Sequence, residues 1–176
     1  MRTASYTISK KINAPAENVY AYVADLPRHI EWNYRAVEVE KLTDGPVAVG
    51  SNFRTREILS KDLPAMTKFM FTYFMPIIQK IYGFGDHNFA TITALEPGHL
   101  VAWKTRLPGR KGDMMRMNWE VTISEESNEQ CVVTQRCQIV PPDTSPFARM
   151  VNDDMLEMSR KDATANLLEL KRILES

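Results

Sequence analysis

Met115, Met117, Trp119, Val121 and Ile123 alternate without a break with Arg116, Asn118, Glu120 and Thr122. Only an extended chain puts every second side chain on one face, so this stretch is a strand with one apolar and one solvated side. The apolar side needs a cover, and the chain supplies one last. Ser145 caps and Pro146 opens a long helix that runs nearly to the C-terminus. On it Phe147, Val151, Met155, Met158 and Ala165 share one face, and Leu156, Ala163, Leu167, Leu170 and Leu174 make a second apolar strip beside it.

The rest of the chain follows the same plan. Tyr6, Ile8 and Ile12 mark a first strand; Pro15 starts a helix with a Val19, Tyr22, Val23 stripe; Pro27 begins a second short helix. Strands follow at 36–42, 51–59, 87–95, 99–107 and 131–140, with Glu96-Pro97-Gly98 as a tight turn. This order predicts an α+β fold in one domain, 1–176, with an insertion at about 60–85: a curved antiparallel sheet wrapped around the C-terminal helix. Such a sheet leaves space between itself and the helix.

Residues 68–85, KFMFTYFMPIIQKIYGFG, break the pattern. Apolar residues cover about 200° of a helical wheel, so the segment reads as a helix that Pro76 should kink or split. Ten residues lie between Lys68 and Gln79, against roughly 20 needed to span a bilayer. It is therefore not a spanning segment. A lid or wall over the cavity, a helix closing the sheet edge, a dimer surface and an interfacial membrane helix all remain open.

The segments INAPAENVYAYVADLPRHIEW (12–32), VGSNFRTRE (49–57), ITALEPGHLVAW (92–103) and the terminal helix resemble the START-related (SRPBCC) superfamily. More narrowly, they are similar to its polyketide cyclase/dehydratase and lipid-transport family, whose fold is the helix grip. The resemblance spans most of the chain apart from about 60–85. It implies a deep apolar cavity between sheet and C-terminal helix. Its members include both carriers and cyclases, so it does not choose between them.

The chemistry in the sequence is sparse. His29, His87 and His99 lack ligand spacing, which predicts no metal site, and no cofactor fingerprint is present. Neighbours on a strand point apart, which argues against Asp86 and His87 as a catalytic pair. Cys131 and Cys137, on one face of one strand, stand roughly 20 Å apart and cannot bridge. Among Cys131, Val133, Gln135, Cys137 and Ile139, Gln135 is the polar exception on an inward face. It needs a side chain, a water or a ligand as partner. Arg54, Arg56, Arg106 and Arg136 alternate with apolar neighbours and are assigned to the outer face.

These readings predict a cytoplasmic protein that binds a hydrophobic small molecule or lipid. With 22 basic and 22 acidic residues, the balanced charge gives no reason to expect nucleic acid. The start, MRTASYTISKK, reads as a strand and not as a secretory leader. Predicted lining residues are Phe53, Phe89, Trp103, Met117, Trp119 and Gln135 from strands, and Val151, Met155 and Met158 from the helix. Phe69, Tyr73 and Phe74 are predicted to form the lid. No catalytic residue is assigned. A cyclase or dehydratase would need an inward acid or base, for which Tyr6, Glu57 and Tyr82 are the candidates. Membrane contact or interaction through 68–85, and a homodimer, are the other expectations.

Overall fold

The structure, a computed structural model, describes residues 3–61, 63, 65–140 and 153–176, without the side chains of residues 66, 67, 70, 71 and 153–155. Seven strands form one antiparallel sheet in the order β1-β7-β6-β5-β4-β3-β2. They span Ala4–Ile12 (β1), Ala36–Lys41 (β2), Asn52–Glu57 (β3), His87–Glu96 (β4), Leu100–Gly109 (β5), Gly112–Ser127 (β6) and Gln130–Val140 (β7). β3 to β7 are sequence neighbours paired as a meander, and β1 closes the far edge against β7.

The side-chain alternation carries through. Val121 and Ile123 are buried while Arg116, Asn118 and Glu120 are exposed. In β7, Cys131, Val133, Gln135, Cys137 and Ile139 all point inward. Register shifts interrupt the ladders between Ile92 and Ala94, Leu107 and Pro108, and Glu125 and Ser127. Each such irregularity bends a strand and increases its twist, and together they curl the sheet.

Two helical elements cross between β1 and β2. Helix α1 (Ala16–Ala24) starts after Pro15, whose extended backbone serves as N-cap, and buries Val19, Tyr22 and Val23. A 3₁₀ turn over Leu26–Arg28 carries Pro27 and leads into the short α2 (His29–Trp32). Helix α4 (Asp153–Leu174) packs along β1 and against α2. The predicted start of this helix at Ser145 and Pro146, with Phe147 and Val151, lies outside the described residues. Ala163, Leu167 and Leu170 are buried, whereas Ala165 is exposed. The second apolar strip is therefore the one that faces the core, and Ala165 does not share its face.

Helix α3 (Ala65–Tyr82) runs through Pro76 as one element, not the two that the sequence allowed. Proline leaves the carbonyl four residues earlier, that of Thr72, without its helical donor. Thr72 and Pro76 are both exposed, so water can satisfy that carbonyl and the helix need not break.

The main core lies on the concave side of the sheet, under α1 and the C-terminal half of α4. Phe53, Ile12, Ile92, Val101, Val121, Leu167 and Leu170 are all at or below 1% exposure there. Burying one such side chain contributes about 1.5–3 kcal/mol. Leu167→Ala is expected to cost about 2–5 kcal/mol of stability through lost burial and a residual void, read as a lower urea midpoint at unchanged slope.

Candidate functional site

On the N-terminal side of Leu167, between α4 and the sheet, lies a partly enclosed cavity of about 350 Å³. This is within the roughly 300–1,000 Å³ range of small-molecule sites. One wall is aromatic. Trp103 and Trp119 face each other across β5 and β6 and stack with centroids 5.9 Å apart and planes 10° from parallel. Trp119 Nε1 donates to Thr105 Oγ1 at 3.2 Å. His29 sets its ring edge-on against Trp32 at 4.7 Å and Trp103 at 5.3 Å.

His29 is the best-defined titratable group of the wall. Its Nε2 lies 2.8 Å from the Val23 carbonyl. A carbonyl only accepts, so Nε2 carries the proton and Nδ1 the lone pair. Burial lowers its pKa to about 4, and the Val23 hydrogen bond offsets this only in part. The ring is neutral at neutral pH. Two other groups on the wall move the opposite way. Burial raises Tyr6 far above the usual phenol range and pushes the Cys137 thiol up to about 12.

A polar cluster closes one end. Asp162 sits on the buried face of α4, its side chain 4% exposed. It accepts from the Tyr34 hydroxyl, from Ser60 Oγ at 2.8 Å and from Arg35 Nη1 at 3.3 Å. Arg35 also pairs with Glu57 through Nη2 at 3.4 Å and donates from Nε to the Ile58 carbonyl at 3.1 Å. One helical turn on, Asn166 Nδ2 donates to Asn33 Oδ1 at 3.0 Å and its Oδ1 accepts from the Tyr34 backbone at 3.3 Å. Residues 33–35 are thereby tied to α4 at two successive turns. Burial, then the Asp162 contact, raises the Tyr34 pKa.

The predicted lining residues divide. Trp103, Met117, Trp119, Gln135 and Met158 lie on the wall. Gln135 is 4% exposed and its Oε1 has no hydrogen-bond partner among the described residues. Phe53 is not on the wall; it is fully buried in the adjoining core. Phe89 falls on the other face of β4, because Asn88 and Ala90 are the inward neighbours, and the Arg106 guanidinium stands 5.5 Å over its ring. Val151 lies outside the described residues, and of Met155 only the backbone is described.

The lid residues are corrected by the rotation of α3. Phe69, Tyr73 and Phe74 are 52%, 63% and 46% exposed and face away from the cavity. Met75 and Gln79, on the opposite side of the helix, reach the wall instead. Of the acid–base candidates, Tyr6 and Glu57 line the cavity and Tyr82 does not. Asp86 precedes β4 and is not bound by strand alternation, so its carboxylate lies 2.7 Å from His87 Nδ1, contrary to the sequence expectation. His87 itself is off the wall. Arg54 and Arg56 pair with Glu38 on β2.

Arg35, Asp162, Asn166, Tyr34 and Ser60 were not singled out by sequence. A signal existed for two of them. Asp162 and Asn166 are four apart and flank Ala163 and Leu167, so they put polar groups on an apolar stripe. Among the described residues no cluster of His, Cys, Asp and Glu could hold a metal ion.

This architecture recurs in solved structures. The Zhui aromatase/cyclase from Streptomyces sp. R1128 superposes with a TM-score of 0.67 at 13% identity, covering 99% of this chain and 94% of that one. A START superfamily protein from Mycobacterium smegmatis gives 0.62 at 12% identity, with 97% of each chain covered. The fold is the START-type helix grip. An uncharacterized protein from Rhizobium leguminosarum also matches, at a TM-score of 0.56 and 13% identity over 99% of this chain and 95% of that one. No protein-family model matches the sequence, and no curated protein matches it. In the helix-grip frame, the cavity occupies the space between the gripping sheet and the gripped helix.

The neutral, buried His29 has a consequence for stability. Its folded pKa of about 4 is below its unfolded value of 6.5. Between these values the unfolded chain binds the extra proton, so stability falls as pH drops from about 6.5 to 4. The full loss from this ring is roughly 3 kcal/mol. Thermal melts across that window are expected to show the fall, and His29→Gln, which retains a donor for Val23, to flatten its upper part.

Proposed function

We propose that this protein binds and carries a hydrophobic small molecule or lipid in the cavity between sheet and α4. The observation that supports this most directly is Gln135. It stands on the wall, nearly inaccessible, with an acceptor that no protein donor reaches. Leaving such a group unpaired costs about 1–3 kcal/mol, which a small turn of the side chain toward a ligand in the cavity would recover. The ligand's apolar body would rest against Trp103, Trp119 and Met117. The fold resemblance to a START superfamily protein points the same way. We place the protein in the cytoplasm, where two buried free thiols are ordinary. No helix among the described residues is long and apolar enough to cross a membrane.

The resemblance to the Zhui aromatase/cyclase raises a catalytic reading. General acid–base catalysis works best with a group whose pKa lies near the working pH. The three strongest shifts on this wall all lead away from it: His29 down, Tyr6 and Cys137 up. That favours a container over a catalyst. Native mass spectrometry of the purified protein is expected to show a retained apolar ligand that denaturation releases. Titration with the neutral fluorophore N-phenyl-naphthylamine is expected to saturate at one site. Gln135→Leu should weaken the retained ligand about 2- to 10-fold, the loss of one hydrogen bond, and no change would mean that Gln135 serves packing only.

A second reading has its own observation. Phe69, Tyr73, Phe74, Ile77 and Ile81 all lie 46–63% exposed along the outer face of α3. Residues 63–85 contain Lys68 and Lys80 and no carboxylate. An apolar face with basic residues beside it is the pattern of a helix that rests in a bilayer interface. We propose that this face is a membrane contact, so that one helix both walls the cavity and touches the lipid. Tyr73→Ser with Ile77→Ser is expected to lower co-sedimentation with phosphatidylcholine/phosphatidylglycerol vesicles at least tenfold. Unchanged sedimentation, or a dimer in solution that the same changes dissolve, would give the face another role.

A further inference from the structure

The cavity's charge points to the kind of ligand it takes. Among the described residues of its wall, one is cationic, Arg35, and three are carboxylates, Glu57, Asp86 and Asp162. Arg35 is engaged at every nitrogen: Nε on the Ile58 carbonyl, Nη1 on Asp162 and Nη2 on Glu57. Two carboxylates thus already outweigh its single charge. An incoming anion would have to displace one of them. Doing so would strand a carboxylate, and in the case of Asp162 one that is almost wholly buried. The Lys61 ammonium lies 4.8 Å from the Tyr34 ring centroid and is not on the wall.

Acceptors, by contrast, are plentiful. Asp162 is occupied by two hydroxyls and a guanidinium, but Glu57 has only Arg35 at 3.4 Å and its side chain is 27% exposed. It comes from the inward face of β3, two residues after Thr55, which is also on the wall. His29, protonated at Nε2, presents its lone pair at Nδ1. Gln135 adds an amide oxygen without a partner among the described residues.

We infer that the cavity selects an apolar molecule whose polar end donates hydrogen bonds, an amine or a hydroxyl, and turns away carboxylates, with Glu57 reading that end. This rests on the carrier reading and adds the class of ligand. It separates the protein from a fatty-acid or phospholipid carrier, where a free cation would be needed to meet the headgroup.

Three probes of one shape test it: naphthylmethylamine, naphthalenemethanol and naphthoate, titrated by calorimetry on the intact chain. The amine and the alcohol are expected to bind at least tenfold more tightly than the carboxylate. Glu57→Gln should cut amine affinity about tenfold and leave the alcohol within about twofold. Naphthoate binding as tightly as the amine would overturn the inference while leaving the carrier reading in place. So would an amine affinity indifferent to Glu57→Gln in a variant with native circular dichroism. Failure of all three probes to bind would overturn the carrier reading and this inference with it. The rank order on the unaltered protein decides the matter even if Glu57→Gln does not fold.

Discussion

A helix laid over a void cannot be held there by packing alone, and this is the constraint on which the rest of the structure depends. Toward its C-terminal end, α4 is fixed conventionally, by Leu167 and Leu170 sunk into the core. Toward its N-terminal end Ala163 and Leu156 still pack against Tyr6, Cys137 and Ile139, but on the side facing the cavity dispersion contacts are missing. There the helix is held by polar ties: Asp162 to Tyr34, Ser60 and Arg35, and Asn166 to Asn33 and the Tyr34 backbone. Hydrogen bonds are directional and act without filling the space beside them. They can position a lid of structure across a hollow that apolar contact would tend to close.

The same arrangement explains what the sequence revealed and what it concealed. Strand alternation is a local property, so β6 and β7 and their inward faces could be read directly, and Gln135 stood out as the polar exception on one of them. Trp103, Met117 and Trp119 followed from parity. Phe89 is apolar but sits at an outer position: His87, Phe89 and Thr91 share the outer side of β4. The polar ties were harder to see. Arg35 lies just before a strand and Ser60 in a connecting segment, where no period fixes the direction of a side chain. Their convergence on Asp162 depends on contacts across more than a hundred residues of sequence. Asp162 and Asn166 alone had a local trace, as polar groups on an apolar helical stripe.

Helix α3 illustrates a different limit. Its composition identified it as a helix but could not give its rotation. Nearly every position is apolar, so several faces could have met the cavity. The structure gives the wall Met75 and Gln79 and leaves Phe69, Tyr73 and Phe74 outside. For a chain in isolation that is the costly choice, since five large side chains keep their contact with water. The cost disappears if the outer face has a partner. A bilayer suits it better than an acidic protein surface does, because the apolar area is large and the nearby charges are few.

Together, these features support the proposed reading of the cavity as a chamber that holds a molecule. A catalyst keeps at least one group poised to gain or lose a proton near neutrality. On this wall, burial without a compensating charge drives His29 toward the neutral ring and Tyr6 and Cys137 toward the neutral phenol and thiol. The charges that do exist are concentrated at one end, where Arg35 is shared between Asp162 and Glu57. The result is a charged cluster at Arg35, with Trp32, Trp103 and Trp119 supplying aromatic surface elsewhere on the wall. A molecule with one donating end and a greasy body can satisfy both at once.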